Sequence, residues 1–383
     1  MKKLLLRKES FGGTLCAVET GKRIHINQEE YEEIESRQNV SGSVANDIGV
    51  CGNVHIVTPT FLPENNFSFP DTVYFEVTRR CNLHCKQCFN HSGTKLVDEL
   101  TLNRQLALVD EMARCGVQEI RFTGGEVLSH QGHCELIARA KNHNVRSSIG
   151  TNATLIDVGC AQKLADAGLR SAVVSIDGVR TVHDAIRGKG SFAKTLAGVQ
   201  YLRNAGIDVR INTTVMRDNF RSIPLLARFF HRQGIRMFIR RLMPQGRARA
   251  DWARIALSAN EYAWLKTKLG NLLDNPDGII YGHYLRDKRF VSRVALPFAR
   301  RTCTIGQRAM VIEVNGDIGL CGFLVQERLR CNVQEFTLTE IWRQITTRDL
   351  ITLLGLKNVL QKYNAIHDLK TDCYAVAHGV MVR

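Results

Sequence analysis

From residue 73 onward the chain alternates between short apolar runs typical of strands and longer amphipathic stretches typical of helices. Such an alternation predicts right-handed β-α-β crossovers and a parallel sheet. Six strands are too few to close an eight-stranded barrel, so we expect an α/β fold built on a partial, TIM-like (β/α)6 barrel. The predicted strands are Val73–Thr78, Glu119–Thr123, Arg146–Gly150, Ser171–Ile176, Val209–Val215 and Arg236–Leu242, and the predicted helices are Asn103–Arg114, Gly132–Asn142, Ile156–Ala167, Phe192–Asn204 and Phe220–Gln233.

The regions that flank this alternation have different patterns. The first of them reads as a small hairpin-helix element, in which Leu4 to Val18 is strand-like, residues 19–22 form a turn, and a second strand reaches Ile26. Asn27 can cap the helix that follows, with Glu30 as its capping-box partner. The predicted domains are this element at 1–36, a linker rich in Ser, Asn, Gly and Pro at 37–71, the barrel at 72–250, a mostly helical connector at 251–300, and a cysteine-bearing C-terminal domain at 301–383.

Composition narrows the class of protein. The chain has 383 residues, of which 44% are hydrophobic and 23% charged, as in soluble globular proteins. The N-terminal apolar run is too short for a signal peptide, and no apolar run approaches the roughly 18 residues of a membrane span. We therefore expect a cytoplasmic protein. Twelve cysteines in such a chain favour metal or redox chemistry over a disulfide framework.

The chain has a net charge of +15, and many of its basic residues lie between Arg232 and Arg308. Such a surface can attract a nucleic acid, an acidic peptide or a phosphorylated substrate. It can equally be a solvated face that binds no partner. The sequence has no helix-turn-helix, zinc-finger or RNA-recognition signature, so we do not expect a nucleic acid as partner.

Three cysteines lie directly after the first predicted barrel strand. Cys81, Cys85 and Cys88 have the spacing C-x3-C-x2-C. Four thiolates would complete a tetrahedral metal site, whereas three leave one position of a metal centre open for another ligand. The alternatives are a zinc knuckle that lacks one ligand and a chance grouping.

Polar and glycine-containing motifs follow the next strands, at the edge of the barrel where active residues are expected. Two glycines let a backbone approach a ligand closely, a carboxylate beside them can accept a hydrogen bond from an amine, and a guanidinium can bind a carboxylate bidentately. Each of these residues, considered singly, can also be explained by a tight turn, a buried strand or a surface charge. The candidate ligand-binding residues are Gly124, Gly125, Glu126, Asn152, Ser175, Arg187 and Val215, and Val215 together with Asn212 could flank an adenine.

The cysteine loop, Gly-Gly-Glu, Ser175-Ile-Asp-Gly and Arg187-Gly-Lys-Gly-Ser-Phe, in this order, resemble the radical S-adenosylmethionine (radical SAM) enzymes over about residues 72–250. The resemblance implies that the three cysteines bind a [4Fe–4S] cluster whose open iron chelates S-adenosylmethionine, and that reductive cleavage gives a 5′-deoxyadenosyl radical that abstracts hydrogen. It implies that the Gly-Gly-Glu residues contact the methionyl amine, and that Ser175 and Arg187 contact ribose or carboxylate. The chain departs from the family pattern in having Val127 for Pro and Ala153 for Gly.

The C-terminal region resembles the auxiliary-cluster domain called SPASM, with Cys303-Thr-Ile-Gly and Gly316-Asp-Ile-Gly-Leu-Cys321 as its opening. Leu360, Tyr363 and Leu369 replace three cysteines of complete members, and Cys373 remains. The resemblance implies one auxiliary [4Fe–4S] cluster in a shortened, twitch-like domain, with Cys331, a substrate atom or solvent as fourth ligand. A decayed domain without a cluster is the alternative. The implied protein ligands are Cys303, Cys321 and Cys373.

Radical SAM enzymes with such a C-terminal domain mostly modify peptides. The run Arg7-Lys-Glu-Ser-Phe11-Gly12 resembles the opening of a leader-peptide-recognition domain, in which an exposed hairpin edge would take the peptide as an added strand. The resemblance therefore implies an oxidoreductase of the peptide-maturase type. Its expected partners are a precursor peptide and an electron donor such as flavodoxin or ferredoxin. The alternatives are a small-molecule radical dehydrogenase or cyclase and, in another class, a metal-stabilised nucleic-acid-binding protein.

Overall fold

The computed structural model describes residues 3–272, 279–281, 290–296, 306–319, 321 and 331–347, with four single positions beyond them. Its main body is a nine-stranded sheet in the order β12-β11-β10-β9-β8-β7-β6-β14-β15. The central six strands follow chain order and are all parallel. They are β6 (Thr72–Thr78), β7 (Glu119–Gly124), β8 (Arg146–Thr151), β9 (Ser171–Ser175), β10 (Asp208–Val215) and β11 (Arg236–Arg241).

Short strands extend this sheet at both edges. On one side β12 (Ile279–Tyr281) pairs parallel to β11. On the other side β14 (Ala309–Ile312) pairs parallel to β6, and β15 (Ile318–Gly319) returns antiparallel to β14. The helices that accompany the sheet are α3 (Leu102–Arg114), α4 (His133–Asn142), α5 (Val158–Ala167), α6 (Arg180–Arg187), α7 (Ser191–Asn204), α8 (Ile223–Arg232), α9 (Trp252–Ile255), α10 (Ala259–Leu269) and α11 (Leu338–Thr346).

The two faces of the barrel strands differ, because successive side chains of a strand point to opposite sides. One face carries the apolar residues that form the main core with the helices, such as Phe75, Ile149 and Ile211, each with no exposed area. The opposite face is more polar and includes half-buried residues such as Arg121 and Asn212. We call this more polar face the lumen face, because the inside of a partial barrel lies on that side of its strands.

The sequence predicted this part of the fold correctly. All six barrel strands are confirmed within about two residues at each end, and so are the five predicted helices within about three. Helix α6 (Arg180–Arg187) was not predicted. The predicted connector at 251–300 is only partly helical, since β12 and the short strand β13 (Phe290–Ser292) lie in it beside α9 and α10.

The N-terminal region is larger than predicted. It forms a separate six-stranded sheet, in the order β13-β3-β2-β1-β5-β4. The single strand predicted from Leu4 to Val18 is two strands. The linker prediction is wrong over residues 39–57, where α2 (Gly42–Ile48) and β5 (Gly52–Val57) pack against the same core as α1 (Gln28–Arg37). The elements are β1 (Leu4–Glu9), β2 (Gly12–Ala17), β3 (Lys22–Ile26), α1 (Gln28–Arg37), β4 (Asn39–Val40), α2 (Gly42–Ile48) and β5 (Gly52–Val57).

The capping box predicted in this domain is confirmed. The Asn27 side chain accepts a hydrogen bond from the Glu30 backbone N–H at 2.8 Å, and Glu30 accepts from the Asn27 backbone, which is a complete capping box. β5 lies parallel to β1, so residues 39–57 complete the sheet rather than leaving it.

Buried ion pairs join the N-terminal domain to the barrel at the N-terminal ends of its strands. The fully buried Arg7 guanidinium contacts Glu9 at 2.6 Å and Asp71 at 2.9 Å, and it donates to the Gly116 carbonyl. Arg146, at the start of β8, donates to the Val18 carbonyl at 2.9 Å. The opposite, C-terminal ends of the strands are therefore left for the cysteine loop.

Candidate active site

The three cysteines lie on a loop that leaves β6 and is closed at its base. The Cys81 N–H donates to the Gly93 carbonyl at 2.8 Å, and the Gly93 N–H donates to the Arg79 carbonyl at 3.0 Å. Two backbone N–H groups point at sulfur: Leu83 donates to Cys81 Sγ and Ser92 donates to Cys88 Sγ, each at 3.4 Å. The loop therefore presents its sulfurs to amide donors of its own backbone.

A turn after β11 holds the same loop from the other side. The Arg247 Nε donates to the Cys85 carbonyl at 2.8 Å, and its Nη1 donates to the Ser92 carbonyl at 2.9 Å. The Arg247 backbone N–H also donates to the Cys88 carbonyl at 2.9 Å. Gly246 has φ +56°, and a Cβ there would lie 2.2 Å from the Cys88 carbonyl oxygen, so only glycine allows this approach. Sequence reasoning did not identify Arg247 as a site residue.

Arg187 contacts both the cysteine loop and a buried carboxylate. Its Nε lies 2.6 Å from Asp177 Oδ2, and its Nη1 lies 3.8 Å from Cys85 Sγ. Burial alone would lower the pKa of Arg187, but the Asp177 carboxylate and the Cys85 sulfur raise it above its ordinary value. Gln87 donates to the same Asp177 oxygen, and the Thr214 N–H donates to the other one at 2.8 Å. Asp177 thus fixes a permanent cation beside Cys85.

The glycines after β7 pack against the root of the cysteine loop. Gly124 has φ +137°, and a Cβ at this position would lie 2.2 Å from the Thr78 carbonyl oxygen. A Cβ on Gly125 would lie 2.3 Å from the Arg80 carbonyl oxygen. The Gly125 N–H donates to the Thr78 carbonyl, and the Glu126 N–H donates to the Arg80 carbonyl. The described contacts of these glycines are therefore with the protein backbone, and their contact with a methionyl amine stays a prediction.

Glu126 is fully buried and joins three loops. One carboxylate oxygen accepts from Thr151 Oγ1 at 2.6 Å, and the other accepts from the Asn152 N–H at 2.7 Å. Burial raises the pKa of Glu126, and these hydrogen bonds oppose that shift. The Asn152 side chain in turn donates to Asn82 Oδ1 at 2.9 Å, inside the cysteine loop. A continuous polar network therefore runs from β7 through β8 to the cysteines.

Ser175 and Asn212 are paired across β9 and β10 on the lumen face. Ser175 is half-buried, and the buried Asn212 Oδ1 has no hydrogen-bond partner among the described residues. Val215 is fully buried in the main core, on the other face of β10, which argues against a side-chain contact with adenine. Ala153 replaces the family glycine and has φ +58°, a left-handed conformation that is costly for alanine.

Two arginines, Arg121 on β7 and Arg240 on β11, also lie on the lumen face. Arg121 donates to the Tyr74 hydroxyl at 3.4 Å, and it pairs with Glu119 at 3.1 Å. Arg240, near the end of β11, has a buried Nε without a hydrogen-bond partner in the described part of the chain. Burial lowers the pKa of Arg240, nearby Tyr74 raises it, and Arg121 lowers it further. Such a guanidinium suits an anionic group of a ligand.

The cysteine loop fits an iron–sulfur cluster by its chemistry. Its three thiols are unpaired, two accept backbone N–H···S hydrogen bonds, and the third lies beside the Arg187 guanidinium. Hydrogen bonds and neighbouring charge of this kind tune cluster-bound sulfur. Within the described ranges no three His, Cys, Asp or Glu side chains converge as they would on a single metal ion. Burial raises the pKa of Cys81 to about 11, so the thiol is protonated at neutral pH without a metal.

The auxiliary cysteines are only partly described. Cys303 and Cys373 lie outside the described residues. Cys321 is half-buried and follows β15. Cys331 is buried in the main core, with its Sγ 3.5 Å from Gln344 Oε1. The ligand set of a second cluster therefore stays a prediction.

A scan of protein families matches residues 75–230 to the radical SAM superfamily. The chain is 32% identical over 291 residues to an AdoMet-dependent heme synthase of Nitratidesulfovibrio vulgaris, a match that covers 71% of this chain and 78% of the relative. The chain belongs to the radical SAM superfamily. This radical SAM enzyme is also 30% identical over 274 residues to the mycofactocin maturase MftC of Mycolicibacterium smegmatis, covering 69% of this chain and 67% of that one.

Among solved structures, the radical SAM enzyme is similar to Streptococcus suis SuiB bound to its precursor peptide SuiA. The TM-score is 0.65 at 17% identity, and the match covers 89% of this chain and 88% of SuiB. At this identity the likeness concerns the fold. The shared fold supports the partial barrel. Because the match covers 89% of this chain, it also includes part of the N-terminal sheet.

Membership of the family assigns the cofactors. A radical SAM enzyme uses a [4Fe–4S] cluster and S-adenosylmethionine, and Cys81, Cys85 and Cys88 are the residues that would hold the cluster here. The chemistry that these cofactors supply when bound is one-electron cleavage of the sulfonium and abstraction of hydrogen by the resulting radical. No helix in the part of the chain that the structure describes is long and apolar enough to cross a membrane.

Proposed function

We propose that this radical SAM enzyme modifies a peptide after translation, by forming a crosslink or another bond at a carbon from which hydrogen has been abstracted. The observation that carries the proposal is the N-terminal domain, which forms a six-stranded sheet joined to the barrel by the buried Arg7–Asp71 and Arg23–Glu119 ion pairs. A relative with 30% identity is named as a maturase, and the fold is shared with SuiB, which was solved with a precursor peptide.

In this proposal each part of the site has a task. Arg187, fixed by Asp177, would bind the carboxylate of S-adenosylmethionine and keep positive charge beside Cys85. Glu126 would position the loops of β7 and β8, and its family role would be to meet the methionyl amine. Ser175 and the unpartnered Asn212 Oδ1 would meet the ribose or the adenine.

The lumen would receive the reacting part of the substrate. A radical requires a site that excludes bulk water, so that it reacts only with its substrate. The buried Arg240 Nε has no hydrogen-bond partner among the described residues, and such a guanidinium favours a substrate group that carries a carboxylate.

We propose that the C-terminal region binds one auxiliary [4Fe–4S] cluster through Cys303, Cys321 and Cys373. Cys321 lies two residues after the end of β15, which is joined through β14 to the barrel strand that leads to the cysteine loop. An electron donor such as flavodoxin or ferredoxin would supply the electron for each turnover. About eight irons per chain after anaerobic purification would agree with two clusters, and about four would contradict the auxiliary one.

A second candidate is a small-molecule substrate. The relative with 32% identity is named as an AdoMet-dependent heme synthase, and its match covers 71% of this chain. A substrate that carries carboxylates would also suit Arg240. This candidate gives no role to the N-terminal domain, which is why we place it second.

One experiment separates the two candidates. The anaerobically reconstituted enzyme is incubated with S-adenosylmethionine, a reductant, and either the peptide encoded by a short reading frame beside the gene or an iron-porphyrin that carries propionates. The peptide proposal predicts a change in peptide mass that requires Cys85 and is absent in Cys85→Ala. A product from the porphyrin alone, with the peptide unchanged, would contradict it.

A further inference from the structure

Asp177 lies where the chain leaves the barrel sheet after β9. The residue before it, Ile176, still donates its N–H to the Asn212 carbonyl of β10 at 3.0 Å. The Asp177 N–H donates instead to a side chain, His183 Nδ1, at 3.2 Å. Asp177 is fully buried, so without the imidazole this N–H would be a buried donor that has lost its acceptor.

Helix α6 holds Asp177 at two places. His183 and Arg187 are four residues apart, so they lie on the same face of this helix. His183 accepts the main-chain N–H, whereas Arg187 contacts the side chain, with its Nε 2.6 Å from Asp177 Oδ2. Asn219 adds a second main-chain contact by donating to the Asp177 carbonyl at 2.9 Å. The direction of the Arg187 guanidinium therefore depends on where the Asp177 main chain is held.

The contact with the Asp177 N–H fixes the protonation state of His183. An imidazole nitrogen that accepts a hydrogen bond needs its lone pair, so Nδ1 is unprotonated and the proton lies on Nε2. Burial, and next the Arg187 charge, lower the pKa of His183 to about 4 against the opposing effect of Asp177 and Asp184. The ring is therefore neutral near pH 7. A proton on Nδ1 would place two donors face to face, which excludes a charged histidine from this arrangement.

We propose that His183 is a positioning residue for S-adenosylmethionine: its neutral ring holds the Asp177 main chain, and Asp177 in turn aims Arg187 at the carboxylate of the cofactor. A guanidinium binds a carboxylate through hydrogen bonds that depend on direction, so a small displacement weakens the contact. The inference rests on the role that the proposed function gives to Arg187. It predicts that the acceptor at Nδ1 matters, and that the volume of the ring does not.

Two substitutions of similar shape test the proposal. His183→Asn keeps an acceptor oxygen at the position of Nδ1, whereas His183→Leu places a methyl group there. Hydrogen exchange of the fragment that contains Asp177 in the full chain should become about tenfold faster in His183→Leu and stay near the wild-type rate in His183→Asn. Calorimetry on the reconstituted chain should show that S-adenosylmethionine binds His183→Leu about tenfold more weakly, and His183→Asn with nearly the wild-type affinity.

Equal effects of the two substitutions would overturn the proposal, because they would leave His183 a role in packing alone. A nitrogen-15 spectrum of the histidine-labelled wild-type chain near pH 7 should show the His183 proton on Nε2. A proton on Nδ1 would overturn the proposal even if His183→Leu does not fold.

Arg187→Ala separates this inference from the proposed function. Undiminished binding of S-adenosylmethionine to Arg187→Ala would contradict the role proposed for Arg187. Unchanged exchange at Asp177 in His183→Leu would instead contradict the hold of His183 on the main chain, because that measurement uses neither the cofactor nor a substrate.

Discussion

At the scale of single residues, Arg247 links the end of the barrel to the cysteine loop through hydrogen bonds to the Cys85 and Ser92 carbonyls. Hydrogen bonds from a charged donor each contribute about 1.5–3 kcal/mol. These bonds fix the loop backbone and leave the sulfurs available to a cluster. Arg247 is therefore a positioning residue.

We predict that Arg247→Ala loosens the cluster without removing a ligand. Iron should be lost about ten times faster than from the wild type when a chelator is added. Arg247→Lys should restore part of the retention, because one of the two side-chain hydrogen bonds can re-form. Arg249→Ala, an exposed neighbour in the same turn, is the control. Equal iron loss from Arg247→Ala and Arg249→Ala would show that Arg247 does not position the loop.

At the scale of elements, the strand ends are held together by one buried carboxylate. Glu126 accepts from the Leu128 and Asn152 N–H groups and from the Thr151 hydroxyl. All three partners are donors, so the carboxylate is the form that this arrangement needs. An uncharged amide in its place would turn an NH2 group towards other donors.

We predict that Glu126→Gln destabilises the chain by about 1–3 kcal/mol, because a buried donor is then left unpaired. S-adenosylmethionine binding, measured by calorimetry on the reconstituted enzyme, should weaken, whereas the iron content should stay at the wild-type level. Glu135→Gln on the exposed side of α4 should change neither quantity. Loss of iron together with loss of binding would instead assign Glu126 to the integrity of the cluster loop.

The sequence was sufficient for the six barrel strands because their apolar runs are long and are separated by amphipathic helices. It was insufficient for residues 39–57, because α2 has only seven residues and shows a single pair of buried apolar residues at helical spacing, Val44 and Ile48. The site was predictable where a motif is local, as at Cys81, Cys85 and Cys88. The role of Arg247 was not, because its partners are carbonyl groups 155 and 162 residues away in the chain.

At the scale of the whole molecule, the N-terminal domain and the barrel are held together by buried charge. Burial alone would raise the pKa of Asp71, but Arg7, Arg308 and Arg23 outweigh that effect and lower it to about 2. The stabilisation that ionised Asp71 gives the folded chain is therefore fully present above the ordinary pKa of Asp71. It is lost as the pH falls from about 4 to about 2.

We predict that Arg7→Ala costs about 3–5 kcal/mol of unfolding free energy, because Glu9 then lies buried without its ion-pair partner. The measurement is urea denaturation of the full chain. Arg37→Ala removes an exposed ion pair and should change the free energy by less than about 0.5 kcal/mol. Similar midpoints for the two variants would mean that the interface does not depend on Arg7.

His25 should make the N-terminal domain sensitive to mild acid. Burial lowers the pKa of His25 to about 3, and of its charged neighbours Asp71 raises it while Arg308, Arg7 and Arg23 lower it. Between pH 6.5 and 3 the unfolded chain binds a proton on His25 more readily than the folded chain does. The free energy of unfolding therefore falls as the pH falls, by up to about 1.4 kcal/mol per pH unit. Denaturation midpoints at pH 7.5 and 5.5 should differ more for the wild type than for His25→Gln. Equal differences would refute this prediction.

We expect Cys81, Cys85 and Cys88 to hold the cluster at which this radical SAM enzyme cleaves S-adenosylmethionine. The most direct measurement is 5′-deoxyadenosine formed by the anaerobically reconstituted chain with S-adenosylmethionine and dithionite. We predict that the wild type forms it, and that replacement of all three cysteines by alanine abolishes it while the chain stays folded. No 5′-deoxyadenosine from an iron-replete wild type, or an undiminished amount from the triple variant, would contradict the claim.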